Sequence, residues 1–196
     1  ERTADERLAE QVRATLGQVW VSAGDYRRAQ PLLDGAVEVK KRNIRSGSRA
    51  AIGSAYTLAR KAYMLGDQGR FPEADACFEE SLMLAGDAVH PIGASIRELI
   101  AAVRLWQGRW DEARDAALGG ADIALRCRSR YLTAMGRALG ACATWALRGD
   151  DASLTTLRES TAWIALKGGA VSTSLNYGWL VQASVHLGDV REALAG

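Results

Sequence analysis

Catalysis needs a nucleophile, a base or a metal held at a defined spacing, and this chain offers few such residues. It has two histidines, His90 and His186. His90 stands directly before Pro91 in a predicted loop, a place for a surface or capping role. His186 closes a predicted helix, where a cation suits the negative end of the helix dipole. Cys77, Cys127 and Cys142 form no CxxC pair and read as small apolar fillers. Glu79-Glu80, Asp111-Glu112 and Asp150-Asp151 are adjacent pairs, and adjacent residues do not face each other on a helix. They read as caps and solvated faces rather than as an acid–base couple. No HExxH, GxSxG, P-loop or strand-borne GxGxxG occurs. Gly119-Gly120 and Gly168-Gly169 follow predicted helices and read as terminators. Lys40-Lys41-Arg42 with Arg45, and Arg126, Arg128 and Arg130, sit at predicted helix ends, where the dipole accounts for them. Phosphate binding is the other reading of these cations. No active site, metal or cofactor is expected.

What recurs along the chain is a turn. Gly24-Asp25-Tyr26-Arg27-Arg28-Ala29 returns as Gly69-Arg70-Phe71-Pro72-Glu73-Ala74, Gly108-Arg109-Trp110-Asp111-Glu112-Ala113 and Gly188-Asp189-Val190-Arg191-Glu192-Ala193. A degraded copy begins at Gly149-Asp150. The glycines are spaced by 45, 39, 41 and 39 residues, and such self-similarity indicates like units rather than one globular core. Each period holds two helical patterns joined at the glycine. The 3.6-residue rhythm predicts first (A) helices over about 5–23, 48–68, 92–107, 130–148 and 171–187. The second (B) helices are expected over about 26–42, 71–85, 110–127, 151–167 and from 189 onward. Leu8, Val12, Leu16, Val19 and Trp20 are expected to share a face of the first helix. Asp25, Asp111, Asp150 and Asp189 are placed to cap B helices.

The 196 residues carry a net charge of +2, too small by itself to imply nucleic acid. Three cysteines give an odd count, which disfavours a disulfide framework and fits a reducing cytoplasm. No apolar run approaches the ~20 residues of a membrane helix. One domain over 1–196 is expected, with units at about 5–42, 48–85, 92–127, 130–167 and 171–196. The chain opens without Met and stops inside a unit, so it is expected to be a piece of a longer protein.

The first unit, with Leu16-Gly17, Trp20, Gly24, Tyr26, Ala29, Leu33 and Ala36, resembles the tetratricopeptide repeat (TPR) signature. Ala62, Gly69, Phe71, Ala74 and Phe78 continue it, then Ala101, Gly108, Trp110 and Ala113, then Cys142, Trp145 and Gly149. The periods exceed the family's 34 residues and are similar to the long TPR arms of bacterial LuxR-class, maltose-regulator-like ATPases and adenylate cyclases. The resemblance implies an all-α, right-handed superhelical solenoid of about five helix-turn-helix repeats. It places Gln11, Gln18, Tyr56, Tyr63, Glu98, Trp106, Gln182 and His186 along a concave partner-binding groove. For Tyr63 and Trp106, packing between units is an equal alternative. The carboxylate-clamp positions of chaperone-binding relatives carry Ala14, Gln18, Ala59, Tyr63 and Glu98 here, so that specificity is disfavoured.

The expected role is a protein–protein interaction or regulatory scaffold that binds a peptide or a neighbouring domain in its groove. No direct nucleic-acid or membrane partner is expected. Two alternatives stand beside it. One is a small-molecule sensor arm. The other is self-association through a C-terminal end left uncapped around Val190, Ala193 and Leu194.

Overall fold

The computed structural model describes residues 4–40, 49–86, 89–168 and 170–188, with side chains for 8–37, 51–86, 89–168 and 174–188. The described residues form nine α-helices and no strand. They are α1 (Ala4–Ser22), α2 (Tyr26–Lys40), α3 (Arg49–Asp67), α4 (Phe71–Ala85), α5 (Pro91–Trp106), α6 (Trp110–Arg126), α7 (Arg130–Arg148), α8 (Asp151–Leu166) and α9 (Ala170–His186). Each expected helix up to residue 187 is present, with ends shifted by at most two residues. The expected helix from 189 onward lies outside the described residues, as do Val190, Ala193, Leu194 and the side chains of Lys40, Lys41, Arg42 and Arg45. Among the described residues, no helix is long and apolar enough to cross a membrane.

The turn that recurs in sequence recurs in geometry. Gly24, Gly69 and Gly108 take φ of +73°, +75° and +73°, a conformation that costs a residue with a Cβ about 1–2 kcal/mol. The next N–H reaches back five residues: Asp25 to the Trp20 carbonyl at 3.0 Å, Arg70 to Leu65 at 2.9 Å, Arg109 to Arg104 at 3.0 Å. This bond satisfies a carbonyl that the ending helix leaves open and reverses the chain into the next helix. Asp25 and Asp150 cap as expected, accepting from the N–H of Arg28 at 3.1 Å and of Ser153 at 2.7 Å. Asp111 instead lies within the first turn of α6 and pairs with Arg114 at 2.9 Å. Pro91 opens α5, and His90 caps it, its Nδ1 accepting from the Ile92 N–H at 3.1 Å.

The chain groups into two compact units, Glu1–Ala88 and Val89–Gly196. In the first, α1 packs on α2, α2 on α3 and α3 on α4, and α1 also meets α3. Its centre is a cluster of Val21, Ala29, Leu33 and Met64, with Trp20, Tyr26 and Tyr63 packed around it. Small residues let the helices cross closely. A Cβ on Gly17 would sit 2.9 Å from Leu33 Cδ2.

In the second unit, α5 to α9 pack in sequence, and α7 also meets α5 and α9. Ile96, Val103, Leu139, Leu154, Leu157 and Ile164 are fully enclosed. Each such side chain contributes about 1.5–3 kcal/mol by leaving water. A Cβ on Gly136 would stand 2.8 Å from the Ala117 carbonyl oxygen, so α6 and α7 touch backbone to backbone there.

One expected face differs. Leu8, Val12, Leu16 and Val19 do share a side of α1, but they are 60%, 56%, 42% and 54% exposed. Only Trp20 of the expected set turns into the cluster.

Candidate functional site

A cleft of about 930 Å3 lies in the second unit, built by α5, α7 and α9 with the start of α6. The turn after α5 places Trp106 and Trp110 on one wall. Trp145, near the end of α7, and Trp179, on α9, supply the others. Four of the protein's six tryptophans therefore line one space. The gap between them exists because Gly149, Ser174 and Gly178, with little or no side chain, line it too.

On α9, Trp179, Gln182 and His186 follow at helical spacing and so point to one side. The His186 ring meets Trp145 edge-on, with centroids 5.8 Å apart and planes at 87°. Trp179 is buried, whereas Gln182, His186 and Arg148 are exposed at the rim. Cys142 lies on the floor, its thiol pushed up to about 12 by burial. It is a neutral apolar wall rather than a thiolate nucleophile.

Arg148 and His186 are the basic residues of the lining, and no carboxylate belongs to it. Both stand in the last turn of their helices, where they offset the negative dipole ends of α7 and α9. The cleft thus offers broad aromatic faces, indole N–H donors and a polar rim.

The other residues expected along a groove lie elsewhere. In the first unit, Gln18 donates to Thr57 Oγ1 at 3.2 Å. Arg60 donates to the Gln18 carbonyl at 3.2 Å and to Ser22 Oγ at 2.5 Å. The same guanidinium sits 5.5 Å from the Tyr63 ring centroid. Tyr63 packs on the central cluster, and burial raises its pKa. Tyr26, at the start of α2, donates to Asp67 at the end of α3. Gln11 is exposed and Tyr56 half-buried. Gln18, Arg60, Tyr26 and Tyr63 tie α1, α2 and α3 together.

Glu98 is 7% exposed. A Cβ added at Gly120 would be 3.7 Å from its Cγ, so it is enclosed between α5 and α6, outside the cleft lining. Its Oε1 has no hydrogen-bond partner, and burial raises its pKa well above the ordinary carboxylate value.

Trp106, Gln182 and His186 are thus brought together, while Gln18 and Tyr63 meet in a separate network. Trp110, Trp145, Trp179 and Arg148 complete the cleft and were not expected there. The signal for α9 was present in the sequence, since Trp179, Gln182 and His186 keep a 3–4 spacing. Comparison with family models, curated proteins and solved structures gives no match.

Proposed function

We propose that this chain is a non-catalytic interaction scaffold of the TPR type, its helix pairs forming a right-handed superhelical solenoid within a signalling or transcription-regulatory protein. Its partner is an extended peptide segment of another protein or domain, seated in the cleft of α5, α7 and α9. The observation that carries this reading is the convergence of four tryptophans on one open cleft. Tryptophan supplies large, rigid contact area and dominates binding energy at protein interfaces. A wall set by packed helices also loses little freedom when a partner arrives, so modest contacts suffice. The exposed Gln182, His186 and Arg148 provide hydrogen-bonding groups for a peptide backbone along the rim.

The test is a displayed library of unstructured 12-residue peptides panned against the chain. Enriched peptides are then titrated by tryptophan fluorescence. Trp106→Ala should weaken binding at least tenfold, about 1.4 kcal/mol, with helicity by circular dichroism unchanged. Enrichment that is equal on Trp106→Ala protein would remove the reading.

A small-molecule sensor arm is the second reading, favoured by a cleft volume inside the usual ligand-pocket range. A thermal-shift screen with sugars and metabolites separates the two. A saturable rise with one compound and no enriched peptide would select the sensor.

A further inference from the structure

The A helices end with different charges. α1 and α3 carry no basic residue in their last turns, so a cation at that place is not a requirement of the scaffold. Arg104, in the last turn of α5, is held by Glu112 of α6 at 3.3 Å and by Gln107 at 2.7 Å. Arg148 and His186, in the last turns of α7 and α9, are exposed and line the cleft. Among the described residues neither belongs to an ion pair. The acid nearest to Arg148 in sequence, Asp150, caps α8 and lies outside the lining. Its carboxyl is held below the usual carboxylate range by hydrogen bonds from Ser153 first and by the Arg148 charge after them.

The helix dipole accounts for a cation on one helix end. It does not account for an aromatic cleft whose described lining holds both basic residues and no carboxylate. Indole faces by themselves attract cations as well as apolar groups. Here a cation seated on Trp145 would stand beside the His186 ring, 5.8 Å away between centroids. It would also stand on the helix face that carries Arg148, three residues further along α7. Arg148 is charged at every working pH and offers a fork of N–H donors. Leu147 and Leu187, 36% and 52% exposed, add apolar surface to the same lining. Apolar surface beside unanswered basic groups favours a ligand that is apolar and anionic at once.

We propose that the segment bound in the cleft is acidic. One of its apolar or aromatic side chains lies against Trp145, and the carboxylate of an Asp or Glu two residues along meets Arg148 and His186. An extended peptide puts such side chains on one side, about 7 Å apart. That span suits an aromatic face with a basic group in contact beside it. The proposal rests on the peptide reading of the cleft and adds the charge and pattern of the partner.

The experiment takes peptides enriched from the displayed library of 12-residue sequences and titrates each beside a twin whose Asp and Glu are replaced by Asn and Gln. The expected result is an acidic residue two places from an aromatic or aliphatic one. The neutral twin should bind about threefold more weakly, within the range of an exposed charged contact, chiefly through slower association. Arg148→Gln should bring the ratio of the two affinities close to one, with Tm unchanged because the residue is exposed. Peptides that depend on Trp106 but bind as well as their neutral twins overturn the acidic specificity and leave the peptide reading standing. A ratio that Arg148→Gln does not alter also overturns it, because the acid is then read elsewhere. A library that yields no enriched peptide removes the peptide reading itself, and this inference with it.

Discussion

The two units are both built of helices packed neighbour to neighbour, and they differ in what lies between those helices. Between α1 and α3 long polar side chains form bridges. Gln18 reaches Thr57, and Arg60 spans to Ser22 and lies over Tyr63. Along α5, α7 and α9 a cleft is walled by tryptophans, with small residues between them. Bridging hydrogen bonds tie the helices of the first unit together, and aromatic walls with small residues between them leave a cleft in the second.

The largest expected effect separates how the two units cross their helices. Gly136→Val in the second unit would drive a branched side chain against the Ala117 carbonyl and the Ala121 backbone N–H. Neither is able to rotate away, and overpacking of this kind costs about 1–3 kcal/mol or more. Gly17→Ala in the first unit meets the movable end of Leu33 along with the Leu32 Cβ at 3.2 Å. Its cost is offset in part by the ~1 kcal/mol helix advantage of Ala over Gly. Thermal unfolding should show a large drop for the first variant and a shift of a degree or two for the second. Equal losses would show that both crossings are equally tight.

Tyr63 sharpens the contrast from the side of the first unit. Its ring is part of the first unit's packed cluster. Tyr63→Ala should therefore destabilise by about 3 kcal/mol, the usual cost of losing a packed aromatic ring. Tyr63→Phe keeps the ring and should cost little. A Tyr63→Ala protein with an unaltered Tm would place the ring outside the cluster.

Glu98 in the second unit has no counterpart in that bridged network. Its folded-state pKa lies above the unfolded value because the carboxyl is buried without a partner for Oε1. The stability tied to its protonated form is fully present below the unfolded pKa of about 4.3. It is lost as pH rises toward and through the folded pKa. Glu98→Gln retains the shape without the titration. The Tm of the native chain should match that variant near pH 4 and fall progressively below it toward pH 8. A gap that stays constant across this range would refute the assignment.

Much of the helical order was legible because one turn chemistry, glycine followed by a capped or arginine-led helix start, repeats at every A–B junction. α4 and α7 begin and end where the pattern puts them. What could not be read was which helical face is covered. Leu8, Val12, Leu16 and Val19 have the spacing of a buried stripe, yet burial depends on a neighbour that spacing does not supply. Glu98 gives the opposite case. Nothing local marks it as enclosed, because Gly120, 22 residues later, is what lets α6 close over it. For the cleft, Trp106, Gln182 and His186 were reached through the TPR resemblance. Trp110, Trp145 and Trp179 join them only once α5, α7 and α9 are seen to converge.

The smallest effect contrasts the turns themselves. In the first unit, each described residue with positive φ is a glycine: Gly24, Gly69 and Gly86. The turn from α6 to α7 closes with the same five-residue bond, from the Ser129 N–H to the Ala124 carbonyl at 2.9 Å, but its left-handed residue is Arg128, at φ +57°. A side chain in that conformation is strained, and Arg128 is exposed. Arg128→Gly removes the strain and adds backbone freedom to the unfolded chain, two terms of opposite sign. The strain term is the larger, so the variant should gain about 0.5–1 kcal/mol, a rise of roughly 1–3 °C in Tm for a chain of this size. Arg109→Gly provides the control, since Arg109 has an ordinary φ of −88° and a bidentate contact with Glu112. It should show no gain, and a gain there equal to that at Arg128 would mean that the left-handed turn stores no strain.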